Sequence, residues 1–236
     1  MRFFIDKIFL KIFNKLIIFV PKNFKINYLL FLYLFEKNKE DELYNLDIII
    51  NKNGYAIDVG SNNGFWSYML SRMKKIKKIY AFEPNIKISH VNSKYFKKIK
   101  VHNVGLSNKN TDKILITPVI NNFEYNGLSK IYDNKKIPNR LIKYKKKKIK
   151  VKKLDSYNYL NVVFIKIDIE GHELDFLAGA KNFFLKNKPL CLIEIERKNL
   201  KKVVKFFLNL KINYKINRKF YKGVKLTEKN YLFSVE

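Results

Sequence analysis

The sequence predicts a three-layer α/β domain, a mostly parallel sheet covered by helices, behind a helical N-terminal appendage. Three observations carry that expectation. After Asn53-Gly54, short apolar runs alternate with longer helical segments, the rhythm of parallel strands joined by helical crossovers. The first run ends in an acidic residue and a glycine-bearing loop, Asp58-Val59-Gly60-Ser61-Asn62-Asn63-Gly64, which opens a helix. The residues before it show helical periodicity, interrupted at Pro21. At 236 residues the chain is long enough for one main core plus an appendage and too short for a pair of full enzymatic domains. The expected division is 1–50 for the appendage and 51–236 for the domain.

From Ile5 to Val20, the residues Ile5, Ile8, Phe9, Ile12, Phe13, Leu16 and Ile17 follow helical spacing, while Lys7, Lys11 and Lys15 recur on another face. This is a cationic amphipathic helix. A second apolar run, Tyr28 to Phe35, is far shorter than the ~20 residues of a membrane-crossing helix, and lysines break the first. Two partners stand open for these helices: the body of the domain, or an anionic membrane surface. Strands are expected near 55–59, 77–82, 100–105, 162–168, 190–195, 212–217 and 230–235, and helices over 64–73, 85–97, 171–186 and 199–209. The last two strands should pair as a hairpin at the sheet edge. Segment 108–153 breaks the rhythm with a strand at 113–117, a loop through Asn126-Gly127 and Pro138, and a lysine run from Lys145 to Lys153. In that run Ile149 and Val151 alternate with lysine, which describes an edge strand protected by charge.

A hydrophobic content of 47% with 29% charged residues excludes an intrinsically disordered chain. The net charge of +29 points toward nucleic acid or an anionic membrane. Its makeup weakens the nucleic-acid reading, because the arginines are only Arg2, Arg72, Arg140, Arg197 and Arg218, and specific phosphate and base contacts favour the arginine fork. A lysine-coated surface is the favoured explanation. The lone Cys191, inside Pro189-Leu190-Cys191-Leu192-Ile193, excludes an intramolecular disulfide and a multi-cysteine zinc site, belongs in the core, and suits a reducing, cytoplasmic compartment. No cleavable secretory signal is evident. His90 and His102 lack partners at ligand spacing, and a divalent cation on Asp168, Glu170 and His172 would want oxygen ligands from a second strand that are not evident, so no metal site is expected.

The chemistry concentrates in three places. In the loop after the first strand, Asn62 stands where a dinucleotide fingerprint has its second glycine, so the loop is not shaped for a pyrophosphate. The strand Ile79-Tyr80-Ala81-Phe82 ends in Glu83-Pro84, roughly 20 residues past Gly64, where nucleoside-binding folds place a carboxylate on the ribose hydroxyls. The third place is Ile165-Lys166-Ile167-Asp168-Ile169-Glu170-Gly171-His172-Glu173, a group of carboxylates and a histidine at the carboxyl end of a strand. Asp168, Glu170 and His172 are the catalytic candidates. His172 is expected in the first turn of a helix as a neutral general base oriented by Asp168, with Asp168 the next candidate. Glu194 and Glu196 end the following strand and either approach a substrate or are solvated.

These blocks, with Asn103-Val104-Gly105-Leu106-Ser107 and Leu154-Asp155-Ser156-Tyr157, resemble in order the blocks of FkbM-family methyltransferases over roughly residues 54–196. The resemblance implies a Rossmann-like class I methyltransferase fold and S-adenosylmethionine as cofactor. It also implies methyl transfer, usually to oxygen, on carbohydrates or secondary metabolites. By position, Asp58, Gly60, Asn62 and Gly64 would shape the cofactor loop, Glu83 would hold the ribose, Ser107 would lie near the adenine and Asp168 would face the methyl donor. Segment 108–153 would contribute to the acceptor pocket. Two rival functions stay open: an RNA methyltransferase, favoured by the charge, and a basic binding protein without turnover.

Overall fold

The computed structural model describes residues 40–85, 97–120, 123–133 and 143–235. The chain divides into two compact units, 1–39 and 40–236. The expected helix at 5–20 and the run at 28–35 lie outside the described residues, as does the helix over 85–97 except for its end residues. His90 lies outside them too.

Two short helices, α1 (Asp41–Tyr44) and α2 (Leu46–Ile49), lead into β1 (Gly54–Val59), α3 (Phe65–Arg72), β2 (Ile76–Phe82) and β3 (Ile99–His102). A run of strands follows, namely β4 (Gly105–Leu106), β5 (Thr111–Ile120), β6 (Phe123–Glu124), β7 (Lys130–Tyr132) and β8 (Tyr144–Lys152). The chain then returns through β9 (Val162–Ile167), α4 (Glu173–Ala178), α5 (Lys181–Asn187), β10 (Leu190–Glu194) and α6 (Leu200–Asn209). It finishes with β11 (Tyr214–Asn217), the two-residue pair β12 (Phe220–Tyr221) and β13 (Val224–Lys225), and β14 (Asn230–Val235).

The main sheet has seven strands in the order β11-β14-β10-β9-β1-β2-β3. Its strands β3, β2, β1, β9 and β10 are parallel, and β14 runs antiparallel between β10 and β11. The expected terminal hairpin pairing is present, with β11 at the edge. Strands buried on both faces need continuous apolar residues, which Tyr55-Ala56-Ile57 and Val162-Val163-Phe164-Ile165 supply. Successive side chains then serve opposite layers. Phe164 carries the indole of Trp66 from α3, with ring centroids 6.3 Å apart. Ile165 and Ile167 instead pack with Phe176, Phe184 and Phe207 of α4, α5 and α6, the cluster that also encloses Cys191.

Register places the strand ends in one row. Val59 is level with Phe82 on one side and Ile167 on the other, and Ile167 is level with Ile193. The residues that follow, Gly60, Glu83, Asp168 and Glu194, therefore converge at the carboxyl edge of the sheet.

Three expectations change. The strand expected over 100–105 divides at Asn103-Val104, where the chain leaves the main sheet and begins a second one with the order β4-β8-β5-β6 and with β7 paired to β5. In it β8 pairs with β5 along its length and with β4 only at Val151 and Lys152, so the lysine run is an edge strand over most of its course. The helix expected over 171–186 is two helices parted at Gly179-Ala180, and Gly179 is glycine where a Cβ would lie 2.0 Å from the Ser107 carbonyl oxygen. The break also serves Asp155, whose carboxylate accepts the N–H groups of Asn182 and Phe183 at the start of α5. Residues 40–50, assigned above to the appendage, pack into the domain: Leu43, Leu46, Ile49 and Ile50 are buried, and the buried Glu42 carboxylate accepts from the Thr227 N–H and hydroxyl and from the Asn230 amide.

Phe184 sits fully buried among the rings of Phe176, Phe183, Phe206, Phe207 and Tyr214. Phe184→Ala should therefore cost about 3–5 kcal/mol of stability, read from the denaturant midpoint at unchanged slope.

Candidate functional site

The site begins with a backbone contact. Gly60 follows β1 with φ +78°, and a Cβ there would stand 1.9 Å from the Asp168 carbonyl oxygen. Only glycine permits both the conformation and the approach. The loop is further tied by the Phe82 carbonyl, which accepts the Gly60 and Ser61 N–H groups at 3.0 and 3.1 Å, and by the Asp168 N–H, which donates to Val59 at 3.0 Å. Asp58 is buried at the end of β1 and accepts from the Ser67 hydroxyl of α3. Burial pushes its pKa up to about 6 against that hydrogen bond and the Lys166 charge. Its part is to anchor the helix to the loop. Gly64, in the left-handed region, caps α3.

Glu83 joins the loop to the strand beside it. One carboxylate oxygen accepts the Asn62 N–H at 3.0 Å and the other the Asn85 N–H at 2.8 Å. Each oxygen keeps a lone pair, since a carboxylate has about four acceptor positions. Burial raises the Glu83 pKa, and the two amide bonds oppose that rise.

Between the two sheets lies an open cavity. Gly60, Asn62, Glu83, Asp168 and Glu170 line it from the main sheet, and Leu115, Asn126, Gly127, Ser129 and Ile131 from the second. The Asn85 amide donates to the Asn126 side-chain oxygen at 3.0 Å, and Lys130 pairs with Glu196 at 3.2 Å, so polar contacts pin the second wall to the first. The side-chain oxygens of Ser61 and Asn62 are buried without a hydrogen-bond partner. Such atoms are costly unless a ligand donor meets them.

Five of the expected site residues thus meet at the cavity, and four do not. Asp58 and Gly64 act from behind the loop. Ser107 is fully buried, with its hydroxyl 3.0 Å from the His172 Nε2. His172 is also buried, and its Nδ1 lies 3.3 Å from the Asp175 carboxylate. The expected pairing of His172 with Asp168 is not formed; the imidazole has turned into the protein and away from the cavity. Burial, rather than a helix terminus, pushes its pKa down to about 4 and leaves it neutral. His102 is a packing histidine, its Nε2 2.9 Å from the Tyr159 hydroxyl and its ring stacked on Phe82.

The sequence reading missed the electrostatics behind Asp168. Lys166 is 1% exposed, its Nζ donating to the Asn230 side-chain oxygen at 3.1 Å and lying 5.3 Å from the Trp66 ring centroid. The carboxylates of Asp168, Glu40, Glu194 and Glu42 hold its pKa up against burial. Glu40 accepts the Trp66 indole N–H at 2.8 Å. Glu194 is pushed up to about 7, first by burial and then by Asp168, with Lys166 opposing. The available signal was a lysine and a glutamate inside otherwise apolar strands.

Residues 58–216 match the family model of the methyltransferase FkbM domain. In structure the chain is similar to methyltransferase FkbM from Methylobacillus flagellatus KT, at TM-score 0.53 and 19% identity over 77% of this chain and 43% of that one. It therefore spans less than half of that protein's length. Weaker similarity extends to TYW2 from M. jannaschii in complex with AdoMet, at TM-score 0.42 and 12% identity over 83% of this chain and 75% of that one. A SAM-dependent methyltransferase from Aquifex aeolicus matches at TM-score 0.41 and 16% identity over 91% and 96%. No curated protein matches the sequence significantly. Among the described residues, no helix is long and apolar enough to cross a membrane.

Because Glu194 keeps its proton more tightly when folded, the native state binds more protons than the unfolded chain between the ordinary value of 4.5 and about 7. The contribution is present below that window and is lost as pH rises through it. Urea midpoints taken from pH 4.5 to 7.5 should show Glu194→Gln losing less stability across this range than the parent protein.

Proposed function

This chain belongs to the FkbM methyltransferase family, and from that premise we propose that it methylates a hydroxyl oxygen of a carbohydrate or secondary metabolite. Its fold is the Rossmann-like α/β fold of S-adenosylmethionine-dependent methyltransferases. The observation that carries the reading is the single cavity shared by the Gly60–Asn62 loop, Glu83 and the pair Asp168 and Glu170.

The residues fit the cofactor. Glu83 has lone pairs left for ribose hydroxyls, the partnerless Asn62 oxygen belongs to a residue of the cavity wall, and Gly60 lines the cavity beside it. S-Adenosylmethionine supplies an electrophilic methyl group on sulfur. The protein's part is alignment of an acceptor oxygen against that carbon and removal of its proton. Asp168 lines the cavity and would take the proton of an acceptor hydroxyl aligned there. His172, buried against Ser107 and Asp175, supports the wall instead.

Cofactor binding is checked by calorimetry. Gly60→Val should abolish it, and Glu83→Ala should weaken it by about 1.5–3 kcal/mol through loss of charged hydrogen bonds. Unchanged affinity in both variants would sink the cofactor assignment. With labelled cofactor and fractionated cell glycans, lipids and RNA, label should enter the glycan or small-metabolite fraction. Asp168→Asn should lower kcat by about 10²–10⁴ with little change in cofactor affinity, whereas His172→Ala should lower the thermal midpoint and leave kcat near the parent value. The reverse pattern would return the base to His172.

A further inference from the structure

Strand β9 carries one residue that the fold does not ask for. In Val162-Val163-Phe164-Ile165-Lys166-Ile167 a lysine interrupts an apolar run, and an apolar side chain there would complete the layer beneath Trp66. Burying a cation is costly, and well-packed apolar residues can replace buried ion pairs without loss of stability. The register shows what surrounds it. Asp58 of β1 is level with Lys166 on one side, and Leu192 of β10 on the other. Because side chains alternate along a strand, Asp168 and Glu194, two residues further on, share that face of the sheet with Asp58 and Lys166.

Asp168 is therefore crowded by other acids. Glu194 stands beside it at the end of β10, Asp58 and Glu40 lie on the α3 side, and Glu170 and Glu173 follow it in the chain; the charge of Asp168 acts on each of them. Like charges at such range drive a proton onto one member of the group, and a protonated Asp168 is of no use as a base. The cation set against them on this face is Lys166. Its Nζ is held 3.1 Å from the Asn230 side-chain oxygen and 5.3 Å from the Trp66 ring centroid. Asp168 is foremost among the carboxylates that keep it charged against burial. Since the ammonium spends its hydrogen bond on a neutral amide, it acts on Asp168 through space and leaves the carboxylate oxygens to other partners.

We propose that Lys166 is a positioning residue for methyl transfer: a fixed, buried cation that keeps Asp168 in its carboxylate form without occupying the oxygens that must take the acceptor proton. The inference rests on the methyl-transfer reading with Asp168 as base, and it explains how that base survives among so many acids. Asn230 belongs to the same device. By holding the ammonium from β14, it keeps Lys166 from closing onto Asp168 as a direct ion pair, which would shield the base from the acceptor.

The test compares the full chain with Lys166→Met, which removes the charge at nearly constant shape, and Lys166→Gln, which removes it but keeps an amide for Asn230. Either variant decides the point if the other fails to fold. Each protein is made with aspartate isotopically labelled at the side-chain carboxyl carbon, and the Asp168 signal is identified as the one absent from Asp168→Asn. Followed by NMR, the Asp168 titration should move to higher pH by at least about one unit in the variants, the effect of losing a nearby opposite charge. In parallel, transfer of label from S-adenosylmethionine to the glycan and small-metabolite fraction of the producing cells is measured across pH at one acceptor concentration. The acid limb of the rate should move up by the same interval, with the rate recovering on its alkaline side. A merely structural role would lower the rate by one factor at every pH and leave the titration in place. An Asp168 titration that does not move overturns the proposal. A titration that moves while the acid limb stays put removes Asp168 as the base and overturns the catalytic part of Lys166 with it. No label transferred by the parent protein, whatever the titration does, overturns the methyl-transfer reading beneath both.

Discussion

The contact between Gly60 and the Asp168 carbonyl is the constraint on which the rest of the site depends. Parallel strands bring β1 and β9 to the same level, but ordinary side chains after each would hold the two loops apart. With no Cβ in the way, the loops close to backbone distance, and Asn62 can reach the Glu83 carboxylate. The cavity wall, the carboxylate that faces it and the cap of α3 all descend from that approach. It is also a place with no slack, since any added atom meets a carbonyl rather than a movable side chain.

A second theme is segregation of charge. Lysines coat the surface, and those of β8 keep an otherwise exposed strand edge from pairing with other chains. The interior is different. Lys166 lies beneath the site, with hydrogen bonds running from it through Asn230 to Glu42 and on to Thr227. A basic exterior and an acidic pocket in one small domain mean that bulk net charge says little about what enters the cavity. The field at the pocket mouth is set by local residues, over distances shorter than salt screening would erase.

The main sheet was legible because its signals are local. Apolar runs, Asn53-Gly54, Pro84 and the glycine loop each act on their neighbours in sequence, and every main-sheet strand lies within a few residues of its expected place. The glycine loop, Glu83 and Asp168 were legible for the same reason. What escaped depended on distant residues. Gly179 stands between two helices, against a Ser107 carbonyl that comes from a distant part of the chain. His172 turned inward because Ser107 and Asp175 offered it partners that no spacing in the sequence reveals. Lys166 gives no sign in the sequence of its hydrogen-bond partner, because Asn230 is contributed by the antiparallel β14. Within segment 108–153, Asn126 and Gly127 read as loop punctuation, and it is these residues that bring the segment to the cavity wall.

The position of β14 bears on how the domain comes into being. It is threaded between β10 and β11 although it follows both in sequence. A nascent chain that has not yet produced it leaves β10 as an open apolar edge, Lys166 without Asn230, and Glu42 without the donors of Thr227 and Asn230. Completion of the main sheet is thus tied to a segment that does not line the cavity. A chain without β14 would carry an unpaired strand edge and buried charges lacking their partners, features that favour misfolding.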